Sequence, residues 1–150
     1  MKENALQVAI EQEEQFLTLR VAGQLFGIPV LKVRDVLKPQ RVTKIPKVRS
    51  QILGLMNLRG RIVTVINMSE TLGVTCTASD KKKMFVVVDH ENEYYSLSVD
   101  EVGQTITLKL SEFEKNPANL TKNWRDFSKG VFKLEKELML VLDIPKVITI

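Results

Sequence analysis

The sequence predicts an all-β chain that closes into a small barrel or a pair of barrels, with few and short helices. Three observations carry that prediction. Apolar residues fall into about nine or ten short runs, with turn residues roughly every 8 to 12 positions, the spacing of closed sheets. Each run spans about four to eight residues, strand length and far short of a membrane span. One of them, Ile62-Val63-Thr64-Val65-Ile66, follows directly on a polar corner bounded by Gly54 and Gly60, where glycine permits backbone angles or close approaches denied to other residues.

The elements follow in order. Residues 1–15 are polar and acidic and predict a flexible tail, with the domain proper expected over 16–150. From Phe16, the residues Leu17, Leu19 and Val21 alternate with Thr18 and Arg20, and Ala22-Gly23-Gln24 turns the chain into Leu25-Phe26-Gly27-Ile28 as a hairpin. Pro29 opens a predicted short helix with Val30, Val33, Val36 and Leu37 on one face and Lys32, Arg34 and Asp35 on its polar side, and Pro39 ends it. Gln40–Ser50, with Pro46 and four basic residues, reads as a crossing loop. Ile52, Leu53 and Leu55 lead into the glycine-bounded corner and its strand, which a turn at Leu72-Gly73 closes.

Met84–Val88 and Tyr94–Val99 predict two strands joined by a polar loop, Asp89–Glu93. A further pair of strands begins at Gln104. Ser111 and Glu114 have capping-box spacing, which Pro117 limits to about one turn. The last hairpin runs through Phe127–Leu134, Glu135-Lys136-Glu137 and Leu138–Leu142, before a short tail from Asp143. No internal repeat is visible.

A chain of 150 residues with 44% hydrophobic and 27% charged residues suits one globular domain. The N-terminus has no apolar core segment or small-residue cleavage site, which predicts no secretory signal and a cytoplasmic location. The single cysteine, Cys76, can form no internal disulfide and has no partners for a tetrahedral metal site, in keeping with a reducing compartment. The net charge is +4, but 18 acidic residues are interspersed with 22 basic ones and Lys81-Lys82-Lys83 is the single basic run, read here as a solvated loop guarding a strand.

Reaction chemistry finds little to stand on. His90 is the only histidine and falls in a polar loop, so a nucleophile–histidine pair would have to be assembled around it. Gly54 to Gly60 lacks the G-x-x-x-x-G-K-[ST] order of a phosphate loop, and Arg61 stands where that loop needs lysine. Asp100 and Glu101 are neighbours at a strand end, where side chains point apart, and read as solvated carboxylates. No catalytic, cofactor-binding or metal-ligating residues are therefore assigned, and the chain is not expected to be an enzyme.

The run Gly54-Leu55-Met56-Asn57-Leu58-Arg59-Gly60, its valine-rich strand through Met68 and the closing Leu72-Gly73 resemble the central signature of the CheW family of bacterial chemotaxis coupling proteins. Leu97-Ser98-Val99-Asp100-Glu101-Val102 resembles the family's L-x-V-D-x-V segment. Gly130-Val131, followed by Leu140-Val141-Leu142-Asp143-Ile144, resembles its final hairpin. The likeness covers about residues 14 to 148 and departs from the family pattern at Ser96, where glycine is usual, and at Asn67, where aspartate is usual.

The resemblance implies two small five-stranded, SH3-like barrels packed together and intertwined. It implies an adaptor that holds the regulatory domain of a CheA-type histidine kinase against the cytoplasmic tips of chemoreceptors, recruited to membrane-associated arrays without inserting into the membrane. For the coupling surface it implies Arg59, Asp35, Gly54 and Gly60, with Asn57 and Leu58 in the same corner and Val33 and Val36 as flanking apolar contacts. Asp35 is expected to lie near Arg59 and orient its guanidinium. The rival reading is a small barrel that binds single-stranded nucleic acid through Lys81–Lys83 and the basic loop Arg41–Arg49, for which Tyr94 and Tyr95 are the candidate stacking residues.

Overall fold

The computed structural model describes residues 12–74 and 82–149. The expectations for residues 1–11, Cys76 and Lys81 lie outside the described residues. Eleven strands form two sheets among the described residues. The first comprises β1 (Glu13–Val21), β2 (Gln24–Pro29), β8 (Glu101–Lys109), β9 (Phe113–Glu114), β10 (Ser128–Lys133) and β11 (Leu138–Leu142), in the order β8-β1-β2-β11-β10-β9. The second comprises β3 (Val33–Leu37), β4 (Ile52–Leu58), β5 (Arg61–Asn67), β6 (Met84–His90) and β7 (Glu93–Val99), in the order β3-β6-β7-β5-β4. Both sheets follow one plan: two antiparallel hairpins joined by a parallel contact, β2 with β11 in one and β5 with β7 in the other.

The edges of the first sheet, β8 and β9, are linked by a single 3-10 turn, Leu110–Glu112, so the sheet must curl until its two ends meet. In the second sheet the segment after β3 returns to the far edge, where Thr43 and Leu55 exchange two backbone hydrogen bonds of 2.8 Å. Both sheets are thus bent toward barrels, which leaves few open edges. The five-stranded sheet is continuous in sequence and nested inside the six-stranded one, because the chain leaves after β2 and comes back at β8.

Side-chain alternation divides the core into three. Phe16, Leu25, Phe132, Met139 and Val141 fill the six-stranded sheet. Met56, Val63, Val65 and Phe85 fill the five-stranded one. The largest cluster, which includes Leu19, Phe26, Ile28, Ile66, Val86, Leu97 and Leu142, lies between the sheets. Strand β1 feeds two of these clusters, Phe16 from one face and Leu17, Leu19 and Val21 from the other.

Several local expectations are corrected. The predicted helix over residues 30–37 is a 3-10 turn, Val30–Lys32, followed by β3. Three β-branched valines disfavour a helix there, and a bulge between Val33 and Asp35 inserts the extra residue that makes strand spacing imitate helical spacing. The loop after β6 is two residues, Glu91-Asn92, with φ of 50° and 65°, the left-handed pair of a tight hairpin. Residues Glu13–Gln15, expected in the tail, belong to β1. The pair of strands expected from Gln104 is the nine-residue β8, which starts at Glu101, and the two-residue β9. The capping-box spacing at Ser111 starts no α-helix.

Among the described residues three five-residue helices accompany the two sheets. Helix α1 (Met68–Leu72) begins where Asn67 Oδ1 accepts hydrogen bonds from the amides of Ser69 and Glu70, and it ends at Gly73 with φ of 67°. Helix α2 (Lys122–Asp126) lays Trp124 against Phe26, with ring centroids 5.8 Å apart. Helix α3 (Ile144–Ile148) replaces the expected tail, with Asp143 as its cap and Ile144 and Val147 buried.

Candidate functional site

The β4–β5 hairpin turns through Arg59 and Gly60, both with positive φ, 53° and 83°. This is the geometry of a tight type I′ turn, whose twist matches that of its strands. Asn57 Oδ1 accepts a 2.8 Å hydrogen bond from the Gly60 amide and pins the turn from one side. Arginine in this left-handed position is unusual, since any Cβ there costs about 1–2 kcal/mol. The result is a guanidinium held out on a stiff hairpin tip, its side chain 80% exposed.

Asp35 reaches it from β3. One carboxylate oxygen accepts from the amide of Val36 at 2.9 Å, and the other accepts from Arg59 Nη2 at 3.0 Å. The first contact fixes the carboxylate and the second orients the guanidinium. Among the described residues this is the one hydrogen bond found for the Arg59 guanidinium, so its remaining donors face outward. An exposed pair of this kind contributes about 0.2–1 kcal/mol to stability, too little to repay the left-handed turn.

The other residues of the corner divide in role. Gly54 is buried, and a Cβ there would collide with the Thr43 carbonyl, so it acts by letting the 38–51 segment close over β4 and offers no surface of its own. Gly60 meets nothing within 4 Å and serves conformation alone. Leu58 packs on the cluster inside the five-stranded sheet, and Val33 on the cluster between the sheets. Val36 is partly exposed beside Asp35, and Ile62, at 64% exposure, pairs with Asn57 across the hairpin. Arg61 lies 4.0 Å over the ring of Tyr94. The expected proximity of Asp35 and Arg59 is present, although Asp35 sits on a strand and not on a helix.

Two expectations about charge are corrected. Asp100 is not a solvated carboxylate and Lys83 is not part of a solvated run: their side chains are 7% and 3% exposed and form a 2.6 Å ion pair. Lys83 Nζ also donates to Ser69 Oγ at 3.2 Å, and the Ala22 amide donates to Asp100 Oδ2 at 2.7 Å. Asp100 is the one residue between β7 and β8, so this pair clasps the chain where it passes from one sheet to the other. The aromatics proposed for nucleic-acid stacking are also engaged, Tyr94 under Arg61 and Tyr95 through a 2.9 Å hydrogen bond to Glu93. Among the described residues no group of three or more His, Cys, Asp or Glu side chains could hold a metal ion, and no helix is long and apolar enough to cross a membrane.

The CheW-like domain family matches residues 15–150. The chain is 28% identical over 137 residues to the chemotaxis protein CheW of Thermotoga maritima, covering 91% of this chain and 89% of that one. It is 26% identical over 134 residues to the chemotaxis protein CheW of Bacillus subtilis, covering 89% and 86%. The crystal structure of the scaffolding protein TtCheW from Thermoanaerobacter tengcongensis superposes with a TM-score of 0.84 at 24% identity, over 93% of this chain and 94% of that one, and so shares its fold.

Proposed function

We propose that this chain, which belongs to the CheW-like domain family, is a chemotaxis adaptor that couples transmembrane chemoreceptors to a CheA-type histidine kinase by binding both at once. The observation that carries this reading is the outward guanidinium of Arg59, presented on a tight turn and aimed by Asp35. Arginine suits such an anchor because its planar fork makes several directed hydrogen bonds while its stem packs on apolar surface. Val36 and Ile62 supply apolar surface on the neighbouring strands. The second partner, the regulatory domain of the kinase, docks by this reading on the end of one barrel, and the adaptor performs no chemistry.

Mechanism then reduces to linkage. Holding kinase and receptor on one rigid body replaces a bimolecular encounter by an intramolecular one, and a bias of about 1.4 kcal/mol between two kinase states shifts their ratio tenfold. By the same reading the protein works in the cytoplasm, drawn to receptor arrays by its partners. Co-sedimentation with receptor-bearing membranes tests it. The kinase should pellet strongly only when the adaptor is present, and Arg59→Glu should abolish that gain while circular dichroism stays unchanged. Full kinase recruitment by Arg59→Glu would overturn the assignment.

A further inference from the structure

The positive charge of this protein is gathered in one part of the fold. Between Val36 and Ser69 there are seven basic residues and no acidic one, whereas the rest of the chain carries fifteen basic against eighteen acidic residues. All seven are exposed. Five of them, Lys38, Arg41, Lys44, Lys47 and Arg49, line the segment that leaves β3 and returns over β4, and none of these five forms an ion pair among the described residues. The other two, Arg59 and Arg61, flank Gly60 at the hairpin tip.

The geometry joins the segment to that tip. It starts three residues after Asp35, whose carboxylate holds Arg59, and it is anchored midway by the Thr43–Leu55 hydrogen bonds. Leu55 lies four residues before Arg59 on β4, roughly 13 Å along an extended strand. A like-charged cluster repels itself and gains from an external counter-charge. The chemistry favours carboxylates on a protein. Nucleic acid would need open stacking rings, and Tyr94 is already covered by Arg61. A membrane would need an apolar face, and Val48 is the one strap side chain among the exposed large hydrophobics.

We propose that the Lys38–Arg49 strap, with Arg61, is a cationic apron that steers a carboxylate-rich partner surface onto the Arg59–Asp35 corner and acts on the rate of association. This rests on the adaptor reading above, with the receptor tip as the steered partner. Lys44→Gln/Lys47→Gln/Arg49→Gln should lower the association rate constant for a soluble receptor-tip fragment about tenfold at low salt, flatten its dependence on ionic strength, and leave dissociation within about twofold. Arg59→Ala should do the reverse and speed dissociation. An unchanged association rate in the triple variant would overturn the inference alone. No binding of the wild type to the fragment at any salt would overturn the adaptor reading and this inference with it. Capture of phosphatidylglycerol vesicles or of a single-stranded DNA, lost in the triple variant while receptor association stays unchanged, would reassign the strap to phosphates and overturn the inference.

Discussion

Replacing Arg59 with alanine separates what the residue does for partners from what it does for the fold. Its ion pair, 3.0 Å long, joins an 80% exposed arginine side chain to an Asp35 side chain that is 24% exposed. Alanine and arginine both carry a Cβ, so the φ of 53° costs them alike, and Asn57 still accepts from the Gly60 amide. Unfolding free energy should therefore fall by no more than about 1 kcal/mol. For 150 residues, at about 2.1 cal/mol/K per residue, that lowers Tm by about 3 °C or less. Binding responds on another scale, because truncating an arginine anchor costs about 2 kcal/mol or more, roughly a 30-fold rise in Kd. Differential scanning calorimetry reads the first quantity, and titration calorimetry against a receptor-tip fragment reads the second. Asp35→Asn is the control: it loosens the guanidinium without removing it and should cost binding less than Arg59→Ala does. A fall in Tm well beyond 3 °C with an unchanged Kd would refute the reasoning and make Arg59 a strut of the hairpin.

Lys83→Met leaves the Asp100 carboxylate buried beside an apolar chain and should destabilise by about 3–5 kcal/mol in urea unfolding. Adding Asp100→Asn, which keeps an acceptor for the Ala22 amide, should recover part of that loss, and a single variant as stable as the wild type would remove the clasp from the account. Gly54→Ala forces the strap off β4, so amide exchange at Leu55 and Thr43 should quicken, and unchanged protection at both would contradict the close approach. Hydrogen bonds from Arg20 hold the Glu137 carboxyl below the usual carboxylate range. Its contribution is then present above the unfolded-state pKa and lost as pH falls through the lower folded one. Acidification below about pH 5 should cost the wild type more stability than Glu137→Gln, and parallel urea midpoints from pH 7 to pH 3 would count against it.

What was legible in the sequence was local. The alternation of Leu17, Leu19 and Val21 located β1, and the apolar runs at Met84–Val88 and Leu138–Leu142 located β6 and β11. The Arg59 corner stood out because glycine placement and strand propensity coincide there. Strand β3 was hidden because a bulge reproduces the 3.6-residue beat. The short helices fall below the length at which propensity decides anything, and their caps decide instead. Asn67 followed three residues later by Glu70 was the available signal for α1. The Lys83–Asp100 clasp left no local trace, since both residues resemble surface charges until two sheets close over them.

The nesting of one sheet inside the other has a consequence for the newborn chain. Strand β2 finds its parallel neighbour β11 only after almost the whole chain has left the ribosome, whereas every strand of the five-stranded sheet lies within residues 33–99. Contacts near in sequence close sooner than distant ones, and domains mature from the N-terminus as they emerge. The Arg59 hairpin should therefore be set early, while the β1–β2 hairpin waits with Phe16 and Leu25 uncovered until the last hairpin brings Phe132, Met139 and Val141.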